Sequence, residues 1–213
     1  MKKLVFELNG NLSEQAFPQR MLNSRKDLLI IVMESCRTMM TSQQVANADN
    51  KFMLVVSDMN RLFFFTAKKM FSIRFPFHVN EYPQVRFDFN NIPIDSKMIS
   101  DIMTMIGADV YESTDALDFI APISDYQENV NPNIWTIMNH LMAYEIGYVR
   151  YDDDMEGYDR ACRAGVGNTH PRYHYDVNLD SQAAFKIGIP TQLSPDKFVD
   201  FLDDTKDRLY VRK

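Results

Sequence analysis

The densest run of side chains able to do chemistry is His170-Pro171-Arg172-Tyr173-His174-Tyr175-Asp176-Val177-Asn178. Two imidazoles and a carboxylate in an H-x3-H-x-D spacing offer nitrogen and oxygen ligands for a divalent metal and leave positions for water. His170, His174 and Asp176 are therefore the candidate metal ligands. His174 and Asp176 are also the candidate catalytic pair, beside a metal or as a histidine and aspartate general base. The arrangement requires a strand. If residues 173–179 are extended, period two sends Tyr173, Tyr175, Val177 and Leu179 to one face and His174, Asp176 and Asn178 to the other. Pro171 fixes the turn that aims His170. The plainer alternative is a pair of packed histidines bonded to backbone or to a carboxylate, with no ligand.

Upstream lies Tyr158-Asp159-Arg160-Ala161-Cys162-Arg163-Ala164-Gly165-Val166-Gly167-Asn168-Thr169. Arg160, Arg163 and Arg172, close to two histidines and several tyrosines, form a locally basic, aromatic-interleaved region that suits phosphate or single-stranded nucleic acid. Pairing of these arginines with Asp152, Asp153, Asp154, Glu156 and Asp159 is the competing expectation. Gly165-Val166-Gly167 lacks the lysine and following Ser or Thr of a phosphate loop. Residues 152–157 begin like a calcium loop, but Arg163 stands where the closing glutamate belongs, so the acidic run reads as a solvated loop or flap beside the histidines. The Glu-x-Lys of carboxylate nucleases is also missing, because Ala184 precedes Lys186 by two positions.

Several elements must position these residues. Apolar residues recur at three- and four-residue steps from Gln19 to about Ala46, predicting a long amphipathic helix that packs on a sheet. Phe52-Met53-Leu54-Val55-Val56 and Leu62-Phe63-Phe64-Phe65-Thr66, separated by Asp58-Met59-Asn60, predict a hairpin. Residues 70–75 and 85–89 alternate like half-buried antiparallel strands. Asp95 opens a helix that Gly107 stops, and residues 117–120 read as strand. Asn131 as cap with Pro132 in the first turn opens another helix, carrying Ile134, Ile137, Leu141 and Tyr144 on one face. Strands across residues 148–190 and a capped helix over 194–205 complete the chain. The expected class is α+β, a mostly antiparallel sheet with amphipathic helices in a single domain.

Composition bounds the function. The chain has 213 residues, 46% of them hydrophobic and 24% charged, with a net charge of −6. That suits a folded domain and argues against a dedicated duplex-DNA coat. Cys36 and Cys162 lie in dissimilar surroundings and form no disulfide framework, so a reducing cytoplasm is expected. No window reaches the roughly 18 apolar residues of a membrane span. Fourteen methionines and fifteen phenylalanines make a soft interior, and methionine-rich surfaces also serve adaptable partner contacts.

His170-Pro171-x-x-His174-x-Asp176, followed by Phe185-Lys186-Ile187-Gly188-Ile189-Pro190 and Leu193-Ser194-Pro195-x-x-Phe198-Val199, resembles the C-terminal segment of small bacterial proteins from phage-defence and mobile-element neighbourhoods. The likeness spans roughly residues 148–202. Those proteins lack an assigned reaction, so the resemblance implies a bacterial cytoplasmic setting beside a larger protein partner. Two functions follow as expectations. The first is an accessory or interaction component of such a system, with nucleic-acid contact through the basic region and a homo-oligomer left open. The second is a metal-dependent phosphodiesterase or nuclease using His170, His174 and Asp176.

Overall fold

The computed structural model describes residues 1–8, 10–18, 22, 24–46, 48–80, 84–107, 116–177 and 185–207. In chain order the elements are β1 (Lys2–Glu7), α1 (Gly10–Ala16), α2 (Arg25–Thr41), β2 (Lys51–Val56), β3 (Arg61–Phe65), β4 (Lys69–Arg74) and β5 (His78–Asn80). They continue with β6 (Arg86–Phe89), β7 (Ile92–Pro93), α3 (Ser96–Gly107), α4 (Ala116–Asn129) and α5 (Ile134–Ala143). The last are β8 (Val149–Asp153), α6 (Met155–Arg163), β9 (Tyr173–Val177), β10 (Phe185–Gly188) and α7 (Pro195–Leu202). The chain is α+β, and every strand pairing among the described residues is antiparallel. It divides into two compact units, residues 1–24, 44–75 and 146–213 forming one and residues 25–43 and 76–145 the other.

The first unit is built on a seven-stranded sheet in the order β1-β2-β3-β4-β8-β9-β10. The β2–β3 hairpin turns through Asn60, which takes the left-handed conformation (φ 39°) that asparagine tolerates better than most residues. One sheet face carries Met53, Val55, Phe63, Phe65, Met70, Tyr151 and Tyr175, and α7 covers it with Phe198 and Val199. The Phe198 ring meets Phe63 edge-on at 5.9 Å, and Phe201 stacks on Tyr175 at 4.6 Å. Ser194 caps this helix by accepting the Lys197 N–H, with Pro195 in its first turn, as the sequence pattern predicts.

The opposite face begins as an aromatic ladder. Phe6, Phe52, Phe64 and Phe71 stack across β1 to β4 at 5.3, 5.9 and 4.5 Å, and Tyr148 follows at 5.9 Å from Phe71. Each buried ring contributes roughly 1.5–3 kcal/mol of transfer free energy. The interior residues Met70 to Ile73 of β4 are all buried, so this strand is covered on both faces where alternation alone predicts one. Beyond β4 the same face changes character. Register places Phe71, Arg150, Asp176 and Lys186 in one row, and Lys69, Asp152, His174 and Gly188 in the next. Strand pairing thereby converts an apolar ladder into a patch of ionisable groups.

In the second unit β5, β6 and β7 form a three-stranded sheet, and α2 starts at Arg25. The helix expected from Gln19 to about Ala46 is shorter at both ends, running from Arg25 to Thr41 with Leu22, Ser24 and residues 42–46 outside it, while Gln19 to Met21 and Asn23 lie outside the described residues. Helix α3 follows its pattern, with Asp95 accepting the Met98 N–H at 2.8 Å and Met98, Ile99, Ile102, Met105 and Ile106 buried. Residues 117–120, expected as strand, belong instead to helix α4. Helix α5 begins at Ile134, two residues past the expected start. Asn131 serves as an anchor, its side chain accepting the Asn133 N–H and donating to Asp101.

Candidate metal centre

Asp152, on β8, and His174 and Asp176, on β9, bring one ligand atom each to within 4.8 Å of one another, all three side chains being buried. His174 Nε2 lies 3.8 Å from Asp152 Oδ2 and 3.7 Å from Asp176 Oδ1. The period-two reading of residues 173–177 therefore places Tyr175 in the core and His174 and Asp176 on the ionisable face. Asn178 and Leu179 lie outside the described residues.

The tautomer of His174 follows from its partners. Its Nδ1 is 2.7 Å from the Pro171 carbonyl oxygen, an acceptor only, so Nδ1 carries the hydrogen and donates. Its Nε2 is 2.7 Å from Lys186 Nζ, a donor only, so Nε2 presents its lone pair. This is the orientation of a metal-ligating histidine, with the second nitrogen tied to a carbonyl. Burial, then the Lys186 ammonium, push the imidazole below its ordinary value, so the lone pair is available at neutral pH. Pro171 is itself seated on β10. A Cβ at Gly188 would lie 2.7 Å from Pro171 Cγ, so a larger residue there would displace the proline ring whose residue supplies the carbonyl that holds His174.

The carboxylates are held by two cations. Arg150 bridges them, with Nη2 donating to Asp176 Oδ2 and, at 2.8 Å, to Asp152 Oδ2. Burial opposes the guanidinium charge, but Asp152, Tyr148 and Asp176 outweigh it and hold Arg150 protonated. Lys186 donates to Asp176 Oδ1 at 2.8 Å as well as to His174. Asp152 Oδ1 is buried and has no hydrogen-bond partner among the described residues. An orphaned carboxylate oxygen costs free energy unless something else satisfies it.

His170 does not join this trio. Its Nε2 lies 2.8 Å from Asp154 Oδ2, although its ring stands edge-on to His174 with centroids 5.1 Å apart. Asp154 also caps α6 by accepting the Gly157 N–H at 2.8 Å. Burial raises the Asp154 carboxyl, but the Gly157 N–H and His170 prevail and hold it below its ordinary value. A Cβ at residue 157 would stand 2.3 Å from Asp154 Oδ2 and 2.4 Å from His170 Nε2, so only glycine admits this pair. The acidic run expected as a solvated loop is thus the end of β8, a helix cap and the first turn of α6.

A cleft of about 750 Å³ opens beside these groups, lined by Lys68, Lys69, Arg150, Arg172 and Lys186 with Asp152, Asp153, Asp154, Met155, Glu156 and His170. Arg172 reaches it while paired to Asp153, its Nε donating to Oδ1 at 2.8 Å. Arg160 and Arg163 are exposed on α6 and do not line it. The cations of the cleft are therefore Lys68, Lys69, Arg150 and Lys186 alongside Arg172, four of which sequence reasoning missed. The readable signal was the pair Arg150-x-Asp152 and His174-x-Asp176, two alternating polar segments that become neighbours once β8 pairs with β9. No helix among the described residues is long and apolar enough to cross a membrane. No family model, curated protein or solved structure matches the chain.

Proposed function

We propose that this protein is a divalent-cation-dependent hydrolase of phosphodiesters. The observation that carries the reading is the cluster of Asp152, His174 and Asp176, in which His174 and Asp176 already hold a cation, the Lys186 ammonium, beside a cleft that Lys68, Lys69 and Arg172 also line. One imidazole nitrogen and two carboxylates suit Mn²⁺ or Zn²⁺ and leave positions for water and substrate. The ion would polarise a phosphoryl oxygen and lower the pKa of a bound water. Arg150 positions both carboxylates, Lys68, Lys69 and Arg172 neutralise phosphate, and His170, oriented by Asp154, is the imidazole available for proton transfer.

The test is hydrolysis of bis(p-nitrophenyl) phosphate and of a short single-stranded oligonucleotide with Mn²⁺, Mg²⁺ or Zn²⁺. Ion-dependent turnover that His174→Ala and Asp176→Asn abolish, with folding intact by circular dichroism, is the expected result. Absence of turnover with every ion, or turnover indifferent to both substitutions, would remove the reading.

A second reading is an accessory component that binds a larger protein partner, for which exposed Met155, Tyr158, Val166 and Phe185 offer apolar contact area, its bacterial defence or mobile-element setting coming from the sequence resemblance. His174→Ala separates the two, because it would leave partner binding unchanged.

A further inference from the structure

Resting on the hydrolase reading, we infer that Lys186 is a resident cation that the divalent ion displaces, and that its freed ammonium then binds the substrate phosphate. Charge comes first. Asp152 and Asp176 carry two negative charges, and Arg150 and Lys186 answer them with two positive ones, so an added divalent ion would leave the cluster strongly cationic. One of the two cations must leave. Arg150 is tied to both carboxylates and its side chain is only 15% exposed, whereas that of Lys186 is 31% exposed, lines the cleft and stands on the edge strand β10.

Geometry agrees. The ammonium occupies the coordinating position itself, donating at 2.7 Å to the Nε2 lone pair and at 2.8 Å to Asp176 Oδ1. A lysine and an ion cannot share one lone pair. Ligand atoms about 2.1 Å from a tetrahedral ion stand ~3.4 Å apart; His174 Nε2 is within a few tenths of an ångström of that from each carboxylate, at 3.7 and 3.8 Å, and the two carboxylates, whose ligand atoms lie within 4.8 Å, close the remainder once the ammonium withdraws. The orphaned Asp152 oxygen supplies a further donor that Lys186 leaves unused. A swing about the flexible lysine stem moves Nζ into the cleft beside Lys68 and Lys69, and three ammonium groups there, alongside the Asp153-paired Arg172 and the acidic Asp154 and Glu156, suit a phosphate ester.

The experiment compares wild type, Lys186→Met and Lys186→Gln by calorimetric Mn²⁺ titration and by ion-dependent hydrolysis. Removal of the competing ammonium should tighten Mn²⁺ binding at least tenfold while raising KM for the phosphodiester at least tenfold. Wild type that binds Mn²⁺ and hydrolyses, with both variants binding the ion no tighter, overturns this inference and leaves the hydrolase reading standing. If no protein binds an ion, both fall. Unfolding of both variants would show the ammonium to be a structural counterion and would equally overturn the inference.

Discussion

Gly157→Ala is a substitution for which helix propensity and the structure predict opposite signs. Residue 157 lies in the first turn of α6, where alanine is favoured over glycine by about 1 kcal/mol. The added methyl, however, would stand 2.3 Å from Asp154 Oδ2 and 2.4 Å from His170 Nε2. Both are side-chain atoms that can retreat, but only by giving up the bonds they make. Loss of the cap costs about 1 kcal/mol. Loss of the His170 to Asp154 bond costs about 1 kcal/mol more, discounted for side chains 25% and 35% exposed. The net expectation is destabilisation by roughly 1 kcal/mol, a fall of about 2–4 °C in Tm. In an Asp154→Ala background one of the two clash partners is gone and the other, His170, has lost the bond that holds it and can retreat without cost, so Gly157→Ala should instead stabilise by about 1 kcal/mol, a coupling of about 2 kcal/mol across the cycle. Urea unfolding of the four proteins measures it. Gly157→Ala as stable as wild type, or the same sign in both backgrounds, would refute the assignment of residue 157 as the space the pair requires.

Other expectations follow from the same contacts. Arg150→Met leaves buried Asp152 without its cation, beside an Asp176 that keeps only Lys186, and should destabilise the metal-free protein by about 3–5 kcal/mol, measured by denaturant unfolding, with partial recovery on adding Mn²⁺. Phe198→Ala removes the ring that α7 sets against Phe63 and Tyr175 and should cost about 3–5 kcal/mol. Burial raises the Asp101 carboxyl, but its bonds from Lys97, Asn131 and Tyr126 outweigh burial and hold it below its ordinary value. Its folded pKa being depressed, Asp101 contributes stability above the unfolded carboxylate value of about 3.9, lost as pH falls through and below that value. Asp101→Asn should flatten this acid limb of stability against pH, and an unchanged limb would contradict the assignment.

The strand carrying His174 and Asp176 was readable because its alternation is local: aromatic Tyr173 and Tyr175 against imidazole and carboxylate is a period-two signal within five residues. Asp152 was hidden for the opposite reason. Within its own segment it is one of three consecutive aspartates, and only the non-local pairing of β8 with β9 sets it beside His174. Lys68 and Lys69 were invisible on the same ground, since the register of β4 against β8 brings them to the cleft. His170 reads as a ligand from its spacing, but the start of α6 places Asp154 nearer, and the missing side chain at Gly157 lets them meet. Residues 117–120 mix two apolar residues with an aspartate and a phenylalanine, a window too short to separate strand from helix periods, and α4 settles them as helix. The long α2, α3 and the capped α7 were legible because their signals span several turns or a defined cap.

The most direct measurement is a calorimetric titration of Mn²⁺ into the metal-free wild-type protein and into Asp152→Asn, which keeps the shape of the side chain and removes its charge. Wild type is expected to take up a single ion per chain, and the variant to bind it at least tenfold more weakly, about 1.4 kcal/mol. No heat of binding in wild type, or equal affinity in the two proteins, would contradict that expectation.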